Sequence, residues 1–200
     1  LLERNGLRRL NPLDRTDEWF KCSVQDVMAA ILSLRTGSSN VENRTQNFAM
    51  RPEQFRAVEQ TKRYFEQALK EEPNRTPKFL WNAKMRFGKT FASYQLAKKM
   101  GLSRVLILTF KPAVESAWRE DLVTHIDFEG WQYISNKDAR NNNLNIDQEF
   151  QRADKSKPIV VFGSFQDMLG TNESGGIKTK NEFIHATNWD LVIFDEYHFG

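Results

Sequence analysis

The segment 81–91, WNAKMRFGKTF, ends in residue types that can hold the phosphates of a nucleotide. In the pattern G-x-x-x-x-G-K-[ST], backbone N–H groups cradle the phosphates, the lysine reaches the β- and γ-phosphates, and the hydroxyl residue binds Mg²⁺. Gly88, Lys89 and Thr90 match the second half of this pattern, whereas Ala83 stands where it has its first glycine. We therefore predict a site for ATP and Mg²⁺, with the nucleotide contacted by Met85, Arg86, Phe87, Gly88, Lys89 and Thr90.

A pair of carboxylates follows an apolar run near the other end of the chain, in LVIFDEYH (191–198). A strand with this ending places both carboxylates at the carboxyl edge of a parallel sheet, where such folds bind ligands. Asp195 can then bind Mg²⁺ together with Thr90, and Glu196 can polarise an attacking water. The alternative is a solvated turn after the strand, but the upstream phosphate loop favours a catalytic pair.

Composition limits the class of protein. The 200 residues are 40% hydrophobic, which is enough for one sizeable core. The 29 basic and 26 acidic residues leave a net charge of +3, which permits contact with nucleic acid without requiring it. Cys22 is the one cysteine, so no disulfide can form within the chain, and we expect a cytoplasmic location. Neither a membrane-spanning run nor a signal peptide is present, and we expect no membrane partner.

Alternating apolar runs and helical patterns predict an α/β fold from residue 48 onward, with helices on a mostly parallel sheet. The predicted strands are 79–83, 104–110, 130–135, 158–165 and 191–196. The predicted helices are 52–69, 88–100, 113–125, 145–154 and 179–186. Four tryptophans within or beside these elements are expected in the core or at its edge: Trp81, Trp118, Trp131 and Trp189.

The domain organisation is predicted from changes in composition and secondary-structure pattern along the chain. Residues 1–36 form a small, mainly helical segment, and the polar stretch 37–47 reads as a linker. Residues 48–200 form the nucleotide-binding lobe. Because the chain starts without Met and stops just after an apolar strand, we expect it to be a fragment of a longer polypeptide.

AKMRFGKT and DEYH resemble the Walker A and Walker B (DExH) motifs of superfamily 2 helicases and translocases, most closely the motors of type I and III restriction enzymes. Alanine is common at the first position there, so Ala83 fits, whereas Arg86 replaces a usual glycine. The resemblance implies that 48–200 is a first RecA-like lobe, truncated after the DExH motif. It implies Lys89 and Glu196 as catalytic residues, and a coupling role for His198.

Motifs between these two extend the resemblance. MRPEQFRAV (50–58) is similar to an element whose glutamine reads adenine, and the Gln54 amide can pair with N6 and N7 of that base. TFKPAVESAWREDL (109–122) and VVFGSFQDM (160–168) are similar to nucleic-acid-contacting elements. They imply contacts from Thr109, Lys111, Pro112 and Ser164. The alternatives are a surface glutamine and an ordinary turn at 111–112.

The N-terminal RLNPLDRTDEWFKCSVQDVMAAI loosely resembles the last segment of GIY-YIG-type nuclease domains, although the GIY and YIG motifs are absent. If this holds, the parent protein joins a nuclease to a motor. The alternative is a small helical linker domain.

The resemblance implies the motor of a restriction-type enzyme that uses ATP and acts on DNA, more on duplex DNA than on RNA. Hydrolysis would need arginines from a second RecA-like lobe, so we expect the isolated chain to bind ATP but not to hydrolyse it. The alternatives are an RNA helicase, a P-loop kinase or small-molecule ATPase, and a non-catalytic nucleotide-binding module.

Overall fold

The structure is a computed structural model that describes residues 46–168 and 181–195, together with Val24, Val27 and Arg44. The chain divides into two compact units, Leu1–Gln46 and Asn47–Gly200. In the first unit, Val24 and Val27 are helical with exposed side chains. The rest of the nuclease-like segment lies outside the described residues, so its assignment stays a prediction.

The second unit is built on a four-stranded sheet in which all strands are parallel. Its order is β2-β3-β1-β4, so β1 and β3 lie inside the sheet and are apolar almost throughout, as strands covered on both faces must be. Their bounds are β1 Arg104–Thr109, β2 Gln132–Ser135, β3 Ile159–Ser164 and β4 Leu191–Asp195.

Helices flank this sheet and connect its strands. Two longer ones precede β1, namely α1 (Pro52–Glu71) and α2 (Lys89–Lys99). A single 3₁₀ turn, Pro112–Val114, leads into α3 (Glu115–Thr124) after β1. The shorter helices are α4 Asn136–Asn141, α5 Ile146–Arg152, α6 Phe165–Met168 and α7 Glu182–Ala186.

Two apolar clusters cover the two faces of the sheet, because alternate residues of β1 point to opposite sides. Val105 and Ile107 pack with residues of α2 and α3, including Tyr94 and Trp118. Leu106 and Leu108 pack with residues of α5 and α7 on the other face. This two-sided covering is the α/β arrangement that the sequence predicts, and it is consistent with a RecA-like domain.

The predicted strand 79–83 is wrong, because this segment has no regular secondary structure and pairs with no strand in the described part of the chain. Its aromatic residues pack on α1 instead. The Trp81 indole N–H donates to the Thr61 hydroxyl at 2.7 Å, and the Phe79 ring lies 5.3 Å from that of Tyr64. Leu80 is 84% exposed, so the run of apolar letters does not mark a buried strand here.

The other predicted elements are confirmed, with ends displaced by a few residues. Residues 179 and 180 of the last predicted helix lie outside the described residues. The short helices α4 and α6 were not predicted, although Ser135 caps α4 by accepting from the Asp138 N–H. Trp118 is fully buried and the other three tryptophans are half-buried, as expected. Among the described helices, none combines the length and apolar character that crossing a membrane requires.

Candidate functional site

The predicted phosphate loop turns sharply before it enters α2. Phe87 N–H donates to the Lys84 carbonyl at 3.2 Å, and Met85 at the tip is 95% exposed. Both Arg86 (φ 64°) and Gly88 (φ 76°) are left-handed. This conformation costs a residue other than glycine about 1–2 kcal/mol. Arg86 therefore holds a backbone conformation that glycine adopts without this strain, at a position where the resembling motif has a glycine.

The start of α1 holds the carbonyl side of the loop. Gln54 Nε2 donates to the carbonyls of Phe87 (2.7 Å) and Gly88 (3.3 Å), and the Arg51 guanidinium donates to those of Arg86 (2.8 Å) and Phe87. In a planar trans peptide the N–H points away from the C=O. The N–H groups of Gly88 and Lys89 are therefore directed away from α1, as a phosphate at the N-terminus of α2 requires.

Gln54 itself is 4% exposed, and both ends of its amide are engaged. Its Oε1 accepts from the Arg51 N–H at 2.8 Å while Nε2 binds the loop. Both Nε2 hydrogens face loop carbonyls, so contact with adenine N6 would use the remaining lone pair of Oε1, and contact with N7 would require Nε2 to give up one of its two loop hydrogen bonds. The adenine role of Gln54 stays a prediction, and sequence reasoning missed Arg51, which lies in the same motif.

Lys89, the first residue of α2, is paired with the carboxylate that ends β4. Lys89 Nζ lies 3.1 Å from Oδ1 of Asp195, which is 5% exposed. The other oxygen, Oδ2, accepts from the indole N–H of Trp118 at 2.8 Å. Burying a carboxylate is costly unless a cation or a hydrogen-bond donor faces it, and Asp195 has one of each. The structure thus brings together two predicted site residues, 106 positions apart in the sequence.

Thr90, the next residue of α2, donates its hydroxyl hydrogen to Oδ2 of Asp121. Asp121 lies on α3, one turn after Trp118. Burial raises the pKa of the Asp121 carboxyl above its ordinary value, while hydrogen bonds from the Thr90 hydroxyl and the Phe91 N–H act in the opposite direction. Both residues lie in the stretch 109–122, but the resemblance implies contacts only for the first residues of that stretch. Sequence reasoning placed Trp118 only in the core and overlooked Asp121, because their partners are distant in the sequence.

The side chains at the start of α2 and the end of β4 have the chemistry to bind Mg²⁺ together with a phosphate. Mg²⁺ bound with phosphates takes oxygen ligands, commonly one or two carboxylates, and Thr90 and Asp195 offer a hydroxyl and a carboxylate. Among the described residues, no group of three or more His, Cys, Asp or Glu side chains could hold a metal ion by itself. Glu196 and His198 lie outside the described residues, so their roles stay predictions.

The residues predicted to contact nucleic acid lie at the same edge of the sheet. Thr109 is in register with Ser164 of β3 on one side and with Asp195 of β4 on the other. Both hydroxyls are buried, and each accepts from a backbone N–H of its own loop, that of Lys111 (3.0 Å) and of Asp167 (3.1 Å) respectively. Each hydroxyl therefore holds its own loop, and its contact with nucleic acid stays a prediction. Lys111 and the adjoining Pro112 are exposed.

A prediction follows from Gly88. A Cβ at this residue would lie 2.5 Å from Gln54 Nε2, in addition to the strain of the left-handed backbone. Gly88→Ala should therefore lower the free energy of unfolding by more than the roughly 1–2 kcal/mol of backbone strain alone. Denaturant unfolding measures this loss.

Gly101→Ala is the matched control, because Gly101 has a similar φ of 67° and nothing within 4 Å of its added Cβ. Its cost should be the backbone strain only. The substitution Gln54→Ala removes the side chain that the new Cβ would meet. In that background, Gly88→Ala should lower the free energy of unfolding by less than it does in the wild type. Equal losses for Gly88→Ala and Gly101→Ala would contradict the geometry described here.

Comparison with known proteins gives the family. A family model described as "Type III restriction enzyme, res subunit" matches residues 47–200. A relative from Mycoplasma pneumoniae, named "Putative type II restriction enzyme and methyltransferase RM.MpnORF110P C-terminus", is 37% identical over 158 residues. That match covers 76% of this chain and 20% of the relative, so the chain spans about one fifth of the relative's length. No solved structure matches.

These findings confirm the resemblance to the restriction-type motors of superfamily 2. The matched region includes the phosphate loop, the whole described sheet and the carboxylate of Asp195. The chain therefore belongs to the family of the type III restriction enzyme res subunit.

Proposed function

We propose that residues 47–200 bind ATP and Mg²⁺ as the first lobe of an ATP-dependent DNA-translocating motor in a restriction enzyme. The observation that carries the proposal is the contact between Lys89 and Asp195 at the N-terminus of α2. A cationic group, a carboxylate and a helix N-terminus at one place form a site for an anion with a divalent cation.

The residues would divide the work by chemistry. The Lys89 ammonium supplies countercharge to the phosphates, and the N–H groups of Gly88 and Lys89 supply hydrogen bonds. Thr90 and Asp195 would hold Mg²⁺, which neutralises phosphate charge when bound. Glu196 would position the attacking water and His198 would couple the nucleotide state to nucleic acid. Lys89 is held by Asp195 in this structure and would exchange that contact for phosphate.

DNA is the proposed nucleic-acid partner because the family and the relative are both named as restriction enzymes. The exposed Lys111 and Pro112, which follow β1 directly, would face the backbone of the duplex. Within the whole protein, a second RecA-like lobe would supply the arginines for hydrolysis, and a nuclease would cut the DNA.

Nucleotide binding is tested by removing the phosphate countercharge. Lys89→Ala should reduce affinity for a fluorescent ATP analogue with Mg²⁺ by about 10-fold or more, because charge-assisted hydrogen bonds contribute about 1.5–3 kcal/mol. Fluorescence titration of the 200-residue chain measures the affinity.

Lys98→Ala is the control, since it removes the same charge from the other end of α2, where Lys98 pairs with Asp127 at 2.8 Å. Its affinity should equal that of the wild type. Identical titration curves for the wild type and Lys89→Ala would refute the assignment of the nucleotide site.

Nucleic-acid contact is tested by salt dependence. Binding of labelled duplex DNA should be independent of sequence and should weaken as salt is added. Lys111→Ala should reduce the slope of log binding constant against log salt concentration by about the amount expected for one phosphate contact. Fluorescence anisotropy at several salt concentrations measures both quantities.

Lys157→Ala removes an equal charge just before β3, at the amino edge of the sheet, and should leave the slope unchanged. If Lys111→Ala left the salt-dependence slope unchanged, the proposed contact of Lys111 with the DNA backbone would be contradicted. Tighter binding to RNA than to duplex DNA would favour the RNA helicase alternative.

A further inference from the structure

Helix α3 contacts both predicted Mg²⁺ ligands from one face. Trp118 and Asp121 are three positions apart, so their side chains project from the same side of the helix. Trp118 donates to Asp195, and Asp121 accepts from Thr90. Two ligands from distant parts of the chain are thus held by neighbouring groups on a single helix.

We propose that Trp118 and Asp121 are positioning residues for the metal site, Trp118 for the carboxylate of Asp195 and Asp121 for the hydroxyl of Thr90. The inference rests on the proposed function, because it concerns the Mg²⁺ that would accompany the nucleotide. Neither residue is a ligand in this proposal. Each acts by fixing the orientation of a ligand.

The hydrogen bond to Thr90 determines which part of its hydroxyl is available. A threonine hydroxyl has one hydrogen to donate and two lone pairs to accept with. Because the hydrogen points to Asp121, the lone pairs of Oγ1 point elsewhere. An oxygen prepared in this way is a ligand for a cation and a poor donor to a phosphate.

The hydrogen bond from Trp118 acts on Asp195 in a similar way. An indole N–H can donate but cannot bind a metal, so it occupies Oδ2 without competing for the cation. Oδ1, which contacts Lys89 in this structure, is the oxygen turned toward the phosphate loop. The hydrogen bond to Oδ2 thus holds the carboxylate in its rotamer, and Oδ1 is the oxygen that would exchange Lys89 for the ion.

α3 is itself rigidly placed, as a positioning element must be. Trp118 and Leu122 are fully buried in the cluster that α3 shares with α2 and the sheet. The Tyr94 hydroxyl of α2 donates to the Trp118 carbonyl at 2.8 Å. The helix that bears Thr90 and the helix that orients it are therefore tied together next to the site.

The experiment separates the effect of Mg²⁺ on nucleotide binding from nucleotide binding itself. A fluorescent ADP analogue is titrated into the 200-residue chain with EDTA, and then at rising Mg²⁺. Removing a group that hydrogen-bonds to a metal ligand, without itself binding the metal, lowers metal affinity by about 10–100-fold. Trp118→Phe, which keeps an aromatic ring but removes the N–H, should shift the Mg²⁺ midpoint by about 10-fold and leave the affinity in EDTA unchanged.

Trp189→Phe is the matched control. Its indole N–H donates to the Ile184 carbonyl at 2.8 Å in the cluster on the opposite face of the sheet. The substitution removes the same donor from the same residue type and should leave the Mg²⁺ midpoint at its wild-type value. Thermal unfolding of each variant checks that it is folded.

Asp121→Ala provides a second test on a half-exposed position, where folding depends less on the ring packing of the core. It should shift the Mg²⁺ midpoint in the same direction as Trp118→Phe. The positioning role alone would be overturned if both variants kept the wild-type Mg²⁺ midpoint. It would also be overturned if they lost affinity for the ADP analogue equally in EDTA and in Mg²⁺. Absence of nucleotide binding by the wild type would overturn the proposed function, and this inference with it.

Discussion

The buried carboxylate of Asp195 is the interaction around which the site is organised. At 5% exposure its oxygens need partners, and Lys89 Nζ lies 3.1 Å from Oδ1 while the indole N–H of Trp118 donates to Oδ2. This requirement draws the end of β4, the start of α2 and the middle of α3 to one place. The central position of β1, whose Thr109 is in register with Asp195, fixes where that place lies on the sheet.

Two helices hold the site from different sides and with different chemistry. The start of α1 binds the carbonyls of the phosphate loop through Arg51 and Gln54, and so orients the loop's N–H groups. α3 binds the side chains of Thr90 and Asp195 through Asp121 and Trp118. The backbone N–H groups proposed for phosphate and the oxygens proposed for a cation are therefore arranged by separate elements, and each contact can be removed without removing the other.

The sequence predicted the strands that are continuous apolar runs, and it placed Gly88-Lys89-Thr90 at the start of a helix, where the structure has α2. The role of these three residues in binding phosphate stays a prediction. The sequence did not predict that 79–83 would pack on α1, because an apolar run becomes a strand only where a partner strand pairs with it. It also missed the hydrogen bond from Trp118 to Asp195, which lies 77 positions away. Contacts of this kind depend on how β4 and α3 are placed by the whole sheet.

The most direct test is the position of the metal in crystals grown with Mn²⁺ and ADP. The account predicts an anomalous peak about 2–2.5 Å from Thr90 Oγ1, in direct or water-bridged contact with Asp195, with the ADP phosphates at Gly88–Thr90 and Lys89 turned toward them. A nucleotide bound away from this loop, or a peak that contacts neither Thr90 nor Asp195, would contradict it.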